Sequence, residues 1–201
     1  MTAVSAPTSP LEPIVLTRQQ KRLWFVSALG IFMDGFDLFI MAVALPLIAD
    51  SLGTSALQSG MIGSAAVFGA IVGALWLGRM ADRIGRRRLF AIDMGIFFLG
   101  ALLSAVAPGV WFLIAARLLL GIGIGADYPI SAAYIAENMP ARIRGRRLIG
   151  AFTFQAFGMI SGAVAGIALL TAFEADWVWR LMLGIGVVPA IGIILLRRGM
   201  P

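Results

Sequence analysis

Five ionisable side chains stand inside stretches of this chain that are otherwise almost wholly apolar. They are Asp34 and Asp37 in FMDGFDLF, Asp93 in FAIDMG, Arg117 in RLLLGIGIG and Asp127 in GADYPIS. Gln155, in FQAFG, is a further polar group in such a run. Removing an ionisable group from water is costly, so each needs a partner or a task. Asp34 and Asp37 are three residues apart, which on a helix brings both toward one side. One arginine cannot neutralise three carboxylates, so at least one acid is expected to exchange a proton or meet a ligand. The chain has no cysteine and no histidine. Disulfides, thiolate metal sites and imidazole chemistry are thereby excluded, and a proton handled near neutral pH must sit on a carboxylate.

Two enzymatic readings fail on context. GIGIGA fits the pattern GxGxxA, but a dinucleotide-binding turn must follow a strand and open a helix, and this one lies within an apolar run. An intramembrane hydrolase would need a nucleophile with a base, and without His or Cys only an Asp–Asp pair could serve. The protein is not expected to be an enzyme, nor to carry a cofactor or metal.

The elements that hold these groups follow from composition. Of 201 residues, 60% are hydrophobic and 13% charged, with a mean hydropathy of +0.96. A water-soluble globule is a poor fit. Apolar runs long enough to cross a bilayer fall at about 23–48, 56–78, 89–107, 110–136, 148–172 and 178–196, predicting an all-α bundle of six transmembrane helices over 21–198. Residues 1–20 read as a polar, proline-bearing cytoplasmic tail. Arg and Lys gather before the first run (Arg18, Lys21, Arg22), between the second and third (Arg79 to Arg88), between the fourth and fifth (Arg142 to Arg147) and after the sixth (Arg197, Arg198). The other loops hold Arg180 beside Glu174 and Asp176. Both termini are therefore expected in the cytoplasm, and the net charge of +6 reads as a topology signal rather than a nucleic-acid footprint.

Helical rise sorts the polar groups by depth. Asp34 lies roughly 18 Å above Arg22, and Asp127 roughly 15 Å above Glu137 on the returning fourth helix. Gln155 lies roughly 12 Å above Arg147, so these three share a central layer. Asp37 is the acid best placed to meet Arg117 from below. Asp93, near the cytoplasmic start of its helix, is expected within reach of water. Pro129 removes a backbone bond to Gly125 and is expected to break or kink the fourth helix beside Asp127 and Tyr128. Gly69 with Gly73, and Gly158, Gly162 and Gly166, stand at the spacing that lets helices pack closely in lipid.

These residues resemble the major facilitator superfamily, in its N-terminal six-helix half, a 3+3 inverted repeat. GRMADRIGRRRLF is similar to the loop signature G-x-x-x-D-x-x-G-R-K/R, met by Gly78, Asp82, Gly85, Arg86 and Arg87. YIAENMPARIRGR resembles the E-x-x-P-x-x-x-R-G segment of the sugar-porter branch, met by Glu137, Pro140, Arg144 and Gly145. The resemblance implies that these are cytoplasmic gate residues, not solute ligands. GADYPIS, DGFDLF and Gln155 resemble the phosphate:proton symporters, with Ala126 in place of a glycine; DGFD also resembles aromatic-acid symporters, and nicotinate and other metabolite carriers share the DYP region. The resemblance implies proton coupling by Asp34, Asp37, Arg117 and Asp127, and an oxyanion bound by Tyr128 and Gln155. Expected partners are a small anionic solute, protons and membrane lipid, in a prokaryotic inner membrane. The superfamily has twelve helices, and this chain stops at RRGMP, where a central loop would begin at 199–201. It would then act as a transporter itself, as half of one needing a C-terminal partner or a second copy, or as a membrane ligand-binding scaffold.

Overall fold

The computed structural model describes residues 15–173 and 176–198, excepting the side chains of Ala81, Asp82, Arg86, Arg87, Arg197 and Arg198. The described chain is helical: α1 (Arg18–Leu52), α2 (Ala56–Ile84), α3 (Arg86–Ala105), α4 (Val110–Asn138), α5 (Ala141–Ala172), α6 (Val178–Ile185) and α7 (Val187–Arg198). Together α6 and α7 make one span, so six stretches are long and apolar enough to cross a membrane. The interruption at Gly186 precedes Pro189, which lacks the amide that would bond Ile185 at the end of α6.

The helices outrun the apolar runs at their ends. α1 begins at Arg18 and α5 at Ala141, because backbone bonding continues past the first charged side chain. Thr17 and Gln20 close a reciprocal capping box at the start of α1, which satisfies two otherwise orphaned amides. The polar ends of α1, α4, α5 and α7 meet at one end of the bundle. There Gln20 donates to the Asn138 carbonyl, Arg22 to that of Leu196, and Trp24 to that of Arg147 at 2.7 Å. The basic stretches at the starts of α1 and α5 therefore share this end.

Two long seams build the bundle: α2 lies along α4, and α5 along α1. Exchanging the first three spans with the last three maps one seam onto the other, as an inverted repeat requires. Each seam is lined by glycine. A Cβ on Gly69 or Gly73 would strike the α4 carbonyls of Leu118 or Ile122, and one on Gly158 or Gly162 the α1 carbonyls of Phe32 or Phe36. Without a hydrophobic drive between helices in lipid, such backbone approach supplies the packing attraction. Over their most apolar stretches α4 is 61% and α1 56% buried, against 17% for α5. The two innermost helices are thus those carrying Asp34, Asp37, Arg117 and Asp127.

The alternation in GIGIG now has a cause. Gly121 and Gly125 face the Ala66 and Ala70 carbonyls of α2, whereas a Cβ on Gly123 would come within 2.7 Å of the Asp93 carbonyl oxygen of α3. α4 is pinched between two neighbours. The break expected at Pro129 is absent: α4 runs unbroken from Val110 to Asn138 with the proline inside it. The proline removes one backbone bond, and its ring fills the space beside Gly78, whose Cβ would lie 3.4 Å from Pro129 Cγ. Pro46 is likewise inside α1.

Candidate functional site

Arg117 on α4 and Asp37 on α1 form a two-pronged pair, with Nη1 to Oδ1 at 2.9 Å and Nη2 to Oδ2 at 2.6 Å. Their side chains are 1% and 5% exposed. Fork-to-fork geometry of this kind is strong and directional, and in a buried setting neither charge can be removed cheaply. The pair ties α1, from the first inverted triplet, to α4, from the second.

Asp34 lies one turn from Asp37 along α1 and is wholly buried, as is Asp127 on α4. The Ser131 hydroxyl, one turn further along α4, donates to Asp127 Oδ1 at 3.3 Å. Next to Asp127 in the chain stands Tyr128. Its phenol lies within electrostatic range of both Asp34 and Asp127 and within side-chain hydrogen-bonding reach of Gln155 on α5. Its ring stacks on Phe152, also on α5, with centroids 5.9 Å apart. Gly35, beside Asp34, lies so close to α5 that a Cβ would strike the Gln155 carbonyl. That contact draws Gln155 into the layer. Asp34, Asp127, Tyr128 and Gln155 thus come from three helices to one level, and Asp37 with Arg117 lies just beyond it.

Asp93 differs from its expectation. It is fully buried rather than water-facing, because α4, α6 and α7 all cover α3 even near its charged end. Met94 donates its amide to Asp93 Oδ1 at 2.6 Å.

The residues expected to form a gate stand apart from this layer. Gly78 packs on Pro129. Gly85 has φ of 91° and precedes α3, a left-handed conformation that favours glycine. Glu137 closes α4 and Arg144 with Gly145 opens α5, all three exposed at the basic end. The side chains of Asp82, Arg86 and Arg87 lie outside the described residues. Sequence reasoning missed Ser131, whose signal is its i+4 spacing from Asp127, and Arg180. The latter was read only as a minority charge; it caps α3 by donating to the Ala105 and Ala107 carbonyls and covers the Trp179 ring at 4.2 Å, where a cation complements the helix C-terminus.

Residues 23–201 match the family model described as sugar (and other) transporter. A protein of Schizosaccharomyces pombe, provisionally named an inorganic phosphate transporter, is 32% identical over 90% of this chain and 37% of its own length. The galactose-proton symporter of Escherichia coli K12 is 36% identical over 83% of this chain and 35% of its own. The xylose transporter of Escherichia coli, in a partially occluded inward-open conformation, superposes with a TM-score of 0.85 at 22% identity, covering 91% of this chain and 50% of that one. The chain spans little more than a third of the length of these curated relatives. With six spans, two glycine-lined seams and a match over nearly its whole length, the chain belongs to the sugar-porter family of the major facilitator superfamily and forms an N-terminal six-helix half of that fold.

Proposed function

We propose that the chain serves proton-coupled secondary transport of a small anionic solute, phosphate or an organic acid, by alternating access in a prokaryotic inner membrane. The observation that carries this reading is a set of buried carboxylates, Asp34, Asp37 and Asp127, gathered with Arg117 on the two innermost helices. Both Nη atoms of Arg117 bond to Asp37, while Asp34 and Asp127 both lie within electrostatic range of Tyr128. In the proposed cycle, protons on Asp34 or Asp127 accompany the solute, whose oxyanion takes hydrogen bonds from Tyr128 and Gln155. A proton on Asp37 removes the charge that Arg117 holds and frees α1 to move against α4. Its loss to the cytoplasm restores the pair and resets the carrier. The basic end is assigned to the cytoplasm, with residues 1–20 as a tail there, and Glu137, Arg144 and the signature loop with Asp82, Arg86 and Arg87 act as the gate. A second reading is favoured by the coverage of relatives: the bundle is one wall of the site, and six further helices, encoded beyond this sequence or supplied by a second copy, complete it.

The test is uptake of labelled inorganic phosphate into proteoliposomes under an outside-acid gradient, with nicotinate and galactose alongside. Phosphate accumulation that an uncoupler abolishes, and that Asp34→Asn and Asp127→Asn each abolish, is the expected result. Full accumulation by both variants would sink the mechanism. Galactose accumulation in place of phosphate would overturn the anionic solute.

A further inference from the structure

Arg180 stands in the first turn of α6, at the end of the bundle away from the basic starts of α1 and α5. Its Nη1 donates to the Ala105 and Ala107 carbonyls at the end of α3. A helix C-terminus carries only about half a negative charge, so roughly half of the guanidinium's charge is left without a complement. Arginine offers five N–H donors in a rigid planar fork, and the hydrogen bonds it makes to described residues all leave from Nη1. Among the described residues it has no ion-pair partner. The Trp179 ring lies under the guanidinium, 4.2 Å from its carbon, and fixes its plane.

Beside this arginine the bundle has an open cleft of about 480 Å³, within the range of about 300–1,000 Å³ found for small-molecule sites. Its other walls are apolar: Ala105 of α3, Leu169 of α5, Leu181 and Ile185 of α6, and Val188 of α7. Gly184 keeps it open, since a Cβ there would come within 3.3 Å of Ala105 Cβ. Leu181, Ile185 and Val188 are exposed. From Arg180 to Val188 the cleft runs roughly 12 Å along the span, toward the middle of the membrane. Phe173 at the end of α5 and Trp177 just before α6 are exposed, with ring centroids 6.0 Å apart, and Trp111 is exposed at the start of α4. Exposed aromatics gathered at one end of a membrane bundle mark the level of the lipid headgroups. The cation therefore sits at headgroup level, and the apolar walls descend from it into the acyl region.

That order of charge and apolar surface selects the occupant. A soluble anion would meet the arginine and leave the walls uncovered, whereas an uncharged lipid would cover the walls and leave the arginine without an anion. We propose that the cleft binds an anionic phospholipid from the leaflet at this end. Its phosphate takes hydrogen bonds from the guanidinium nitrogens that the carbonyls leave free, and one acyl chain lies between Leu169, Leu181, Ile185 and Val188. The lipid joins α3, α5, α6 and α7 where the bundle's own packing leaves a gap. The inference depends neither on proton coupling nor on the solute.

Phosphatidylglycerol is the probe. The protein as the cell makes it is purified from vesicles of phosphatidylcholine, phosphatidylglycerol and diacylglycerol in equal parts, and the lipid it retains is counted by native mass spectrometry. One phosphatidylglycerol per chain is expected, preferred about tenfold or more over diacylglycerol because the hydrogen bonds to a charged group are lost with the phosphate. The preference should weaken as salt rises. Arg180→Gln should erase it. Val188→Phe fills the cleft, leaves the Arg180 cap on α3 in place, and should lower phosphatidylglycerol retention about tenfold. Equal retention of phosphatidylglycerol and diacylglycerol, or retention that neither substitution changes, overturns the inference. Should a variant fail to fold, the unsubstituted protein still decides. Phosphatidylglycerol titrated into delipidated protein should raise the melting temperature to a plateau, and inorganic phosphate at the same concentration should not. The same plateau with inorganic phosphate would make this a plain anion site, and no plateau with phosphatidylglycerol would mean no site; either result refutes the lipid.

Discussion

Asp34 and Asp37 occupy successive turns of one helix, are the same residue type, and are both buried; the difference between them lies across the seam. Asp37 meets a guanidinium whose two terminal nitrogens both bond to it. Asp34 meets a layer with Tyr128, on which Asp127 also acts. One acid therefore ties α1 to α4, and its neighbour belongs to the layer that the proposed function uses to carry protons. Three residues of sequence separation decide between the two, because the partners come from α4 and not from α1.

The largest way to break this comparison is to remove that tie. Arg117→Ala leaves the Asp37 carboxylate buried without its cation, and uncompensated buried charges cost about 3–5 kcal/mol. A bundle of this size should then melt about 10 °C or more lower in detergent. The double variant Arg117→Ala with Asp37→Ala should recover much of that loss, since both charges go together. If Arg117→Ala melts with the parent, the pair does not tie α1 to α4.

A smaller effect separates the two acids directly. Asp37→Asn strands the guanidinium against an amide and should destabilise by about 2–3 kcal/mol. Asp34→Asn keeps the shape and leaves the Asp37–Arg117 pair in place, so it should destabilise less than Asp37→Asn does. Both should stop proton-driven phosphate accumulation. Melting curves and uptake measured on the same preparations check this. Equal destabilisation by the two substitutions would erase the distinction between them.

Much of this contrast was legible before any coordinates. Counting helical rise from the basic ends made Asp37 the acid best placed to meet Arg117 from below and put Asp34, Asp127 and Gln155 in one layer, because rise per residue is nearly constant in a helix. The glycine spacing announced close seams, but not which helix each would face: Gly121 and Gly123 point to different neighbours, and a linear pattern cannot say so. Asp93 was misjudged because distance from a helix end measures depth along the bundle, whereas burial depends on what surrounds it. Pro129 was expected to break α4 because the lost hydrogen bond is visible in sequence; the packing on Gly78 that accommodates its ring is not. Arg180 looked like a stray loop charge, since its carbonyl partners lie more than 70 residues away.

The finest test asks whether Tyr128 works with Asp34 and Asp127 or merely packs. Its ring is held by Phe152, and that stacking survives Tyr128→Phe, so stability should change by no more than about 1 kcal/mol. What the substitution removes is a hydroxyl beside Asp34, Asp127 and Gln155. If that hydroxyl donates to the solute's oxyanion, its loss deletes one hydrogen bond to a charged group, about 1.4 kcal/mol or more. The phosphate KM should then rise about tenfold with the melting curve in place. An unchanged KM would confine Tyr128 to packing, and the solute would have to be bound by other groups than the layer that sets Asp34 apart from Asp37.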